Sequence, residues 1–388
     1  MSPRDEDEVM SEREMAYELV TTNDRLVELL DTYAEEPRYA IDTEFDNRRT
    51  YYPRLALVQI AWPTFIMLVD PFSVDVTLLA TLFASEATAI AHAASNDISV
   101  LDRYVNVRPS RLFDTQIAAQ LTGMRGASLA YLASELLSLE LDKSEQTSDW
   151  TVRPISAAAE IYAINDVAHL FDIADELFTD LTRLGRLEAF EEECDAVLQA
   201  VAKEINPRQS WWHLSNRETL RPKDEIVAQY LCAVREELAE MLNVPKRFLV
   251  PDDVITSLCS SRPTSVQAMA QVLGRRVERD LVPQFVDAMK AALASDGSEL
   301  ERPGDDRSDD QRGLIAMLQA LVWQRSSAME IDPAVLASKN DILARLDGRP
   351  SKFDRPWRAD IITRDVDAII AGTASLAWRH RQLEVIAL

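Results

Sequence analysis

The stretch Tyr39-Ala40-Ile41-Asp42-Thr43-Glu44-Phe45 decides the fold. An apolar lead-in followed by acid, hydroxyl, acid and aromatic reads as a strand, because successive side chains on a strand face opposite ways. Asp42 and Glu44 are two apart, so their carboxylates share a face. Two apolar runs follow, Leu55–Trp62 and Phe65–Asp70, joined by Pro63-Thr64 as a hairpin-like connection. Further downstream lie Asp97, in His92-Ala93-Ala94-Ser95-Asn96-Asp97, and Asp166, four residues after Tyr162 in an alanine-rich stretch. Four-residue spacing on a helix puts Tyr162 and Asp166 on one face. Four carboxylates and a phenol, presented from one strand and two helices, make a hard-oxygen cage suited to a pair of Mg²⁺ or Mn²⁺ ions.

The order of elements gives the architecture. Residues 13–36 read as a helix, Val74–Ala84 as helical and Ala87–Ala91 as a short buried strand. A helix opens at Asp97–Tyr104, and Leu112–Asp114 precedes another over Thr115–Leu121. From Ser156 to Ala202 the pattern is helical. Strands followed by strands alternating with helices indicate a mixed α/β sheet. Beyond Trp211-Trp212 the chain reads as helical throughout, with Ile226, Leu231, Val234, Leu238 and Met241 at helical spacing. The domains expected are a charged tail at 1–12, an α/β domain at 13–205, a helical domain at 215–295, an acidic linker at 296–310 and a second helical domain at 311–388.

Composition bounds the function. With 47% hydrophobic and 27% charged residues, the 388-residue chain is of the globular class. Its charged first residues lack the apolar core of a signal peptide, and no apolar run reaches the ~18 residues of a membrane span. Cys194, Cys232 and Cys259 lack metal-ligand spacing and read as buried thiols of a cytoplasmic protein. The net charge of −24 opposes a nucleic-acid partner, which needs a positive footprint. The charge is uneven, however. Asp296–Gln311 holds seven acids against Arg302 and Arg307, and reads as a solvated linker. Residues 345–381 hold eight basic side chains and five acids, a candidate surface for a polyanion together with Arg275, Arg276 and Arg279.

In order and wording, these motifs resemble the DEDD 3′→5′ exonucleases, and most closely the ribonuclease D family. Asp42-Thr43-Glu44-Phe45 is similar to the first motif, His92 through Asp97 to the second, and Tyr162-x-x-x-Asp166 to the third in its tyrosine variant. Arg49-Thr50-Tyr51-Tyr52-Pro53, and Leu141 to Glu145 running on to Asp149-Trp150, agree with ribonuclease D in particular. Arg235 through Val250, with Asp252-Asp253 and Arg262 to Ser265, resembles the HRDC domain, and residues 311–388 a diverged second copy.

The resemblance implies a ribonuclease H-like exonuclease domain followed by two all-α HRDC-type domains. It implies a two-metal 3′→5′ exoribonuclease that trims tRNA precursors and other structured RNAs. Asp42, Glu44, Asp97 and Asp166 would hold the ions, and Tyr162 would orient the attacking water. Phe45 reads as a base-stacking group or as core. Lys143 reads as a phosphate contact or a surface lysine. His92 reads as a hydrogen-bonded structural residue, with substrate contact as the alternative. Asp114 reads as a cap or ion-pair partner. A DNA exonuclease and a catalytically silent RNA-binding scaffold are the rival readings.

Overall fold

The computed structural model describes residues 15–141, 145, 147–200, 206–302 and 309–388. The charged tail, Lys143, residues 201–205 and residues 303–308 of the acidic linker lie outside the described residues. The chain forms two compact units: one of residues up to Phe45, Leu55–Ala200 and Leu318–Leu388, the other of Asp46–Arg54 and Val201–Met317.

The first unit is built on a six-stranded sheet. Its elements are β1 (Ala16–Val20), α1 (Asn23–Thr32), β2 (Arg38–Asp46), β3 (Arg54–Trp62) and β4 (Phe65–Val69). A short 3₁₀ turn then leads into α2 (Ala80–Phe83), followed by β5 (Thr88–Ala91), α3 (Ser95–Val105), β6 (Arg111–Asp114) and α4 (Thr115–Thr122). Helices α5 (Leu129–Leu137), α6 (Ala157–Ala168), α7 (Leu170–Leu184) and α8 (Leu187–Gln199) complete this part. The strand order is β1-β4-β3-β2-β5-β6. β3 and β4 pair antiparallel, whereas β1 with β4, β2 with β5, and β5 with β6 pair parallel. The sheet is therefore mixed, with β2 and its acids in an interior position.

The helix expected over 13–36 is instead a strand and a helix. Parallel pairing with β4, from Ala16 opposite Phe65 to Val20 opposite Val69, satisfies the backbone of β1 and overrides local helical propensity. Thr22 then caps α1, its side chain accepting from the Arg25 amide. The long helical stretch after Ser156 breaks into three helices. His169 ends α6 and Gly185, at φ +64°, ends α7 in the left-handed conformation that glycine accommodates.

The second unit holds α9 (Pro222–Met241), α10 (Lys246–Leu249), α11 (Asp252–Ser261), α12 (Val266–Leu273) and α13 (Val282–Ala294) around a core that includes Trp211, Leu231, Phe285 and Met289. Arg235 is buried and pairs with Asp252 at 2.7 Å. The Arg49–Pro53 stretch is built into this unit. The Tyr51 hydroxyl donates to Glu236 at 2.6 Å and the Tyr52 amide to Asn243 at 3.2 Å. The described part of the acidic linker is also docked here rather than solvated. Glu299 pairs with Arg208 at 2.8 Å, and the Glu301 carbonyl accepts from the indoles of Trp211 and Trp212. Arg208 neutralises Glu299, and the Glu301 carboxylate accepts from Asn206 at 3.2 Å and Gln209 at 2.9 Å, which holds residues 299–301 on the surface.

The C-terminal block contains α14 (Asp309–Met329), α15 (Pro333–Leu336), α16 (Lys339–Leu346) and α17 (Arg364–Ile370), and is helical as the sequence indicates, except at its end. There β7 (Ala374–Arg379) and β8 (Gln382–Ala387) form an antiparallel hairpin. Residues 318–388 belong to the same unit as the sheet and do not form a separate third body. Buried ion pairs explain this. Glu193 of α8 binds Arg358 at 2.6 Å, Arg355, and the Trp357 indole at 3.0 Å. Arg186 donates to the Leu121 carbonyl at 2.5 Å and to the Met329 carbonyl.

Candidate active site

Strand β2 and helix α6 supply the centre of the site. Ala40 of β2 is buried with Leu57, Leu68 and Ile90 in the cluster that receives Ala159, Ala163 and Val167 of α6. Burial contributes roughly 1.5–3 kcal/mol for each of Leu57, Leu68, Ile90 and Val167, and the small alanines let α6 approach the sheet closely. That packing fixes the rotation of α6 and so the direction of Asp166. Ligand oxygens of Asp42, Glu44 and Asp166 lie within 4.8 Å of one another. Among the described residues no lysine, arginine or histidine forms a salt bridge with any of the four acids.

Asp97 joins the same electrostatic cluster from the first turn of α3, outside the tight triad. The Thr43 hydroxyl donates to it. The residues around it set the entry to α3. Asp114 is buried, and its carboxylate accepts from the amides of Ala93 (3.1 Å), Ala94 (2.8 Å), Gln116 (2.9 Å) and Ile117 (3.3 Å). One side chain thus caps α4 and shapes the turn before α3, where Ala93 has a left-handed φ of 57°. Of the two readings open from the sequence, cap or ion-pair partner, Asp114 is a cap, and its hold on the α3 entry positions Asp97. Strand alternation puts Thr43 opposite the face of Asp42 and Glu44, so nothing in the local sequence marks it as a partner of Asp97.

The four acids are half-buried. Burial, then the charges of Asp97, Asp166 and Glu44, push Asp42 well above the ordinary carboxylate range. Burial with Asp166 and Asp97 nearby raises Glu44 to about 8, and burial with Asp97 nearby raises Asp166 to about 7. Asp97 rises to about 6, mainly through burial, although the Thr43 hydrogen bond opposes the shift. Clustered, uncompensated acids of this kind suit an added cation: hard carboxylate oxygens match hard divalent ions, whose charge relieves the repulsion.

Tyr162 lies one turn before Asp166 on α6, half-buried, with its ring 5.9 Å from that of Trp150 at 47°. Phe45 is half-buried directly after Glu44. His92 Nδ1 is 2.9 Å from the Thr115 hydroxyl, which itself donates to the Ala91 carbonyl at 3.1 Å. Nδ1 therefore donates, and burial lowers the ring to about 4, keeping it neutral. This geometry favours the structural reading of His92.

The basic span 345–381 is mostly committed within the unit. Arg345 pairs with Asp354 and Asp367, Arg349 with Asp347, and Arg364 with Asp360. Arg355 and Arg358 pair with Glu193, and Lys352 donates to the Ala334 carbonyl. The net positive charge counted along the sequence is therefore not an open RNA-binding face.

Residues 17–182 match a family described as 3′-5′ exonuclease, and residues 224–288 match the HRDC domain. A ribonuclease D from Acidiphilium cryptum is 31% identical over 384 residues, covering 95% of this chain and 97% of the relative. The chain belongs to the ribonuclease D family. Another ribonuclease D, from Jannaschia sp., is 29% identical, covering 95% of this chain and 98% of its own. The crystal structure of Escherichia coli RNase D, described as an exoribonuclease involved in structured RNA processing, superposes with a TM-score of 0.78 at 26% identity. It covers 92% of this chain and 99% of that one. As a ribonuclease D the chain is a 3′→5′ exoribonuclease, dependent on divalent metal, with nucleic acid as its substrate. No helix among the described residues is long and apolar enough to cross a membrane.

Proposed function

We propose that this exoribonuclease trims the 3′ ends of tRNA precursors and other structured RNAs in the cytoplasm, releasing 5′-mononucleotides with the help of two Mg²⁺ or Mn²⁺ ions. The observation that supports the reading is the meeting of Asp42, Glu44 and Asp166 oxygens within 4.8 Å, with Asp97 beside them and no cationic partner among the described residues. Asp42, Glu44 and Asp166 would hold one ion, with Asp42 and Asp97 serving a second. When bound, such a pair supplies an acidified water and charge stabilisation at the attacking and leaving oxygens of the phosphodiester.

The chain's own groups then orient the reaction. A phenol is a poor general base near neutrality, so the Tyr162 hydroxyl serves to position the water by hydrogen bonding, with Trp150 fixing its ring. Phe45, next to Glu44, would stack on the terminal base, and Lys143 would meet a phosphate. The test is digestion of 5′-labelled and 3′-labelled tRNA precursors carrying a 3′ trailer, with Mg²⁺, Mn²⁺ or EDTA. The 3′ label should leave first as a 5′-mononucleotide, the trailer should shorten stepwise, and EDTA should stop both. Internal fragments, or equal degradation of matched DNA, would contradict the substrate assignment.

A further inference from the structure

The terminal hairpin is the part of the C-terminal block that helical patterning hid. It is held at both ends: at its base Ala374 is buried and the Leu388 amide donates to the Thr373 carbonyl at 3.0 Å, and next to the turn the amide of Leu383, opposite Trp378, donates to Gln324 Oε1 at 3.3 Å. The side chains around the turn are nonetheless exposed. Trp378 is 69% exposed, and Arg379, His380 and Arg381 are exposed beside it. Arg379 and Arg381 form no ion pair or side-chain hydrogen bond with the described residues, unlike the other basic residues of the span 345–381.

The turn itself is unusual in composition. His380 and Arg381 both have positive φ, 51° and 66°, the two-residue geometry that Asn-Gly fills most easily. Here two large side chains occupy it, and His380 is braced by Glu384 at 3.1 Å. An exposed indole flanked by two uncommitted guanidiniums is the combination that grips single-stranded nucleic acid: a flat ring stacks on a base while the cations meet phosphates. On a chain of net charge −24, uncommitted arginines at a rooted tip offer local charge complementarity to a polyanion.

We propose that the β7–β8 tip is an RNA-gripping prong, with Trp378 stacking on an unpaired base of the substrate and Arg379 and Arg381 meeting its backbone. The proposal rests on the exoribonuclease reading and adds to it a contact for substrate beyond the terminal nucleotides. It assigns affinity for long RNA to the hairpin, not to the ion-paired helices before it.

The test uses the full chain, comparing wild type, Trp378→Ala, Trp378→Phe, the double variant Arg379→Ser/Arg381→Ser and, as a control in the same block, Arg364→Ala. Binding of a tRNA-sized RNA is measured against salt, beside binding and cleavage of a five-nucleotide RNA, with unfolding midpoints to verify folding. Trp378→Ala should weaken long-RNA binding by roughly five- to a hundredfold, and Trp378→Phe much less. The double variant should lower the log–log salt slope by about 1.4, at roughly 0.7 per lost contact. The loss should be greater for the long RNA than for the short one, and Arg364→Ala should match wild type. Folded Trp378→Ala and arginine variants that bind long RNA as wild type does would overturn the proposal. So would a change in sedimentation with no change in RNA affinity, since the tip would then be a self-association surface. Wild type that cleaves the short RNA, combined with unaffected variants, sinks the prong alone; wild type that cleaves no RNA sinks the exoribonuclease reading and the prong with it.

Discussion

Two groups of acids in the first unit are held in opposite ways. Glu193 on α8 is buried, which by itself would raise its pKa, yet Arg358, Arg355 and the Trp357 indole hold it down at about 2. Asp42, Glu44, Asp97 and Asp166 are also shielded from water but face one another, and all are raised. Burial is common to both; the difference is the counter-charge. A carboxylate supplied with arginines ties α8 to the C-terminal block. Carboxylates gathered without them are unfavourable as a set in the absence of a cation, which supports the proposal that they hold metal.

The largest test of this contrast is substitution on each side. Asp42→Asn or Asp166→Asn should lower turnover by orders of magnitude in a metal-supplemented assay while the unfolding midpoint without metal holds or rises, because like-charge repulsion is relieved. Glu193→Gln should do the reverse. Arg358 is fully buried, and leaving its charge uncompensated costs about 3–5 kcal/mol, read as a lower denaturant midpoint. Turnover per folded molecule should stay near wild type. A stable Glu193→Gln variant, or an active Asp42→Asn variant, would break the comparison.

The same contrast fixes a pH dependence of opposite sign at the two sites. In chelated protein the folded-state values of Asp97, Asp166 and Glu44, about 6, 7 and 8, exceed those of the unfolded chain, near 4. Their contribution is complete below about pH 4 and is lost as pH rises through 6 to 8. Glu193 is lower folded than unfolded, so its contribution is present above about pH 4.5 and is lost as pH falls towards 2. Unfolding midpoints across pH 3–8.5 should therefore fall on both sides. Asp166→Asn should flatten the alkaline fall, Glu193→Gln the acid one, and added Mg²⁺ should restore the alkaline side in wild type.

A smaller effect belongs to Tyr162. Tyr162→Phe keeps the ring beside Trp150 and removes the hydroxyl. Turnover should fall with Mn²⁺ affinity nearly unchanged, as measured by calorimetry. A large loss of metal affinity would make the phenol part of the metal-binding set, and unchanged turnover would make it a packing residue.

The readability of each side follows from distance along the chain. Asp42 and Glu44 declare a shared face by strand alternation, and Tyr162 and Asp166 by helical spacing, so the acids are visible before folding. Their meeting is a long-range event, which the family motifs conveyed and local pattern does not. Glu193 and Arg358 are 165 residues apart with no local sign that they pair. Without that pairing, residues 345–381 looked basic and independent. Strand β1 was hidden because its partner β4 lies some fifty residues on, and the hairpin because His380-Arg381 replaces the usual Asn-Gly signal. Cutting the chain near residue 207 would strip Glu193 of both its arginines, so lost activity in that fragment would report damage to the first unit as well as loss of RNA contacts.

The most direct test of the account is calorimetric titration of Mn²⁺ into chelator-stripped wild type, Asp166→Asn and Glu193→Gln at pH 6.5 and 8.5. Wild type and folded Glu193→Gln should bind, releasing more protons at pH 6.5, where the raised carboxyls are still partly protonated, than at 8.5. Asp166→Asn should lose most of that affinity. Asp166→Asn binding Mn²⁺ as wild type does, with the same proton release, would contradict the claim that these uncompensated acids are the metal seat.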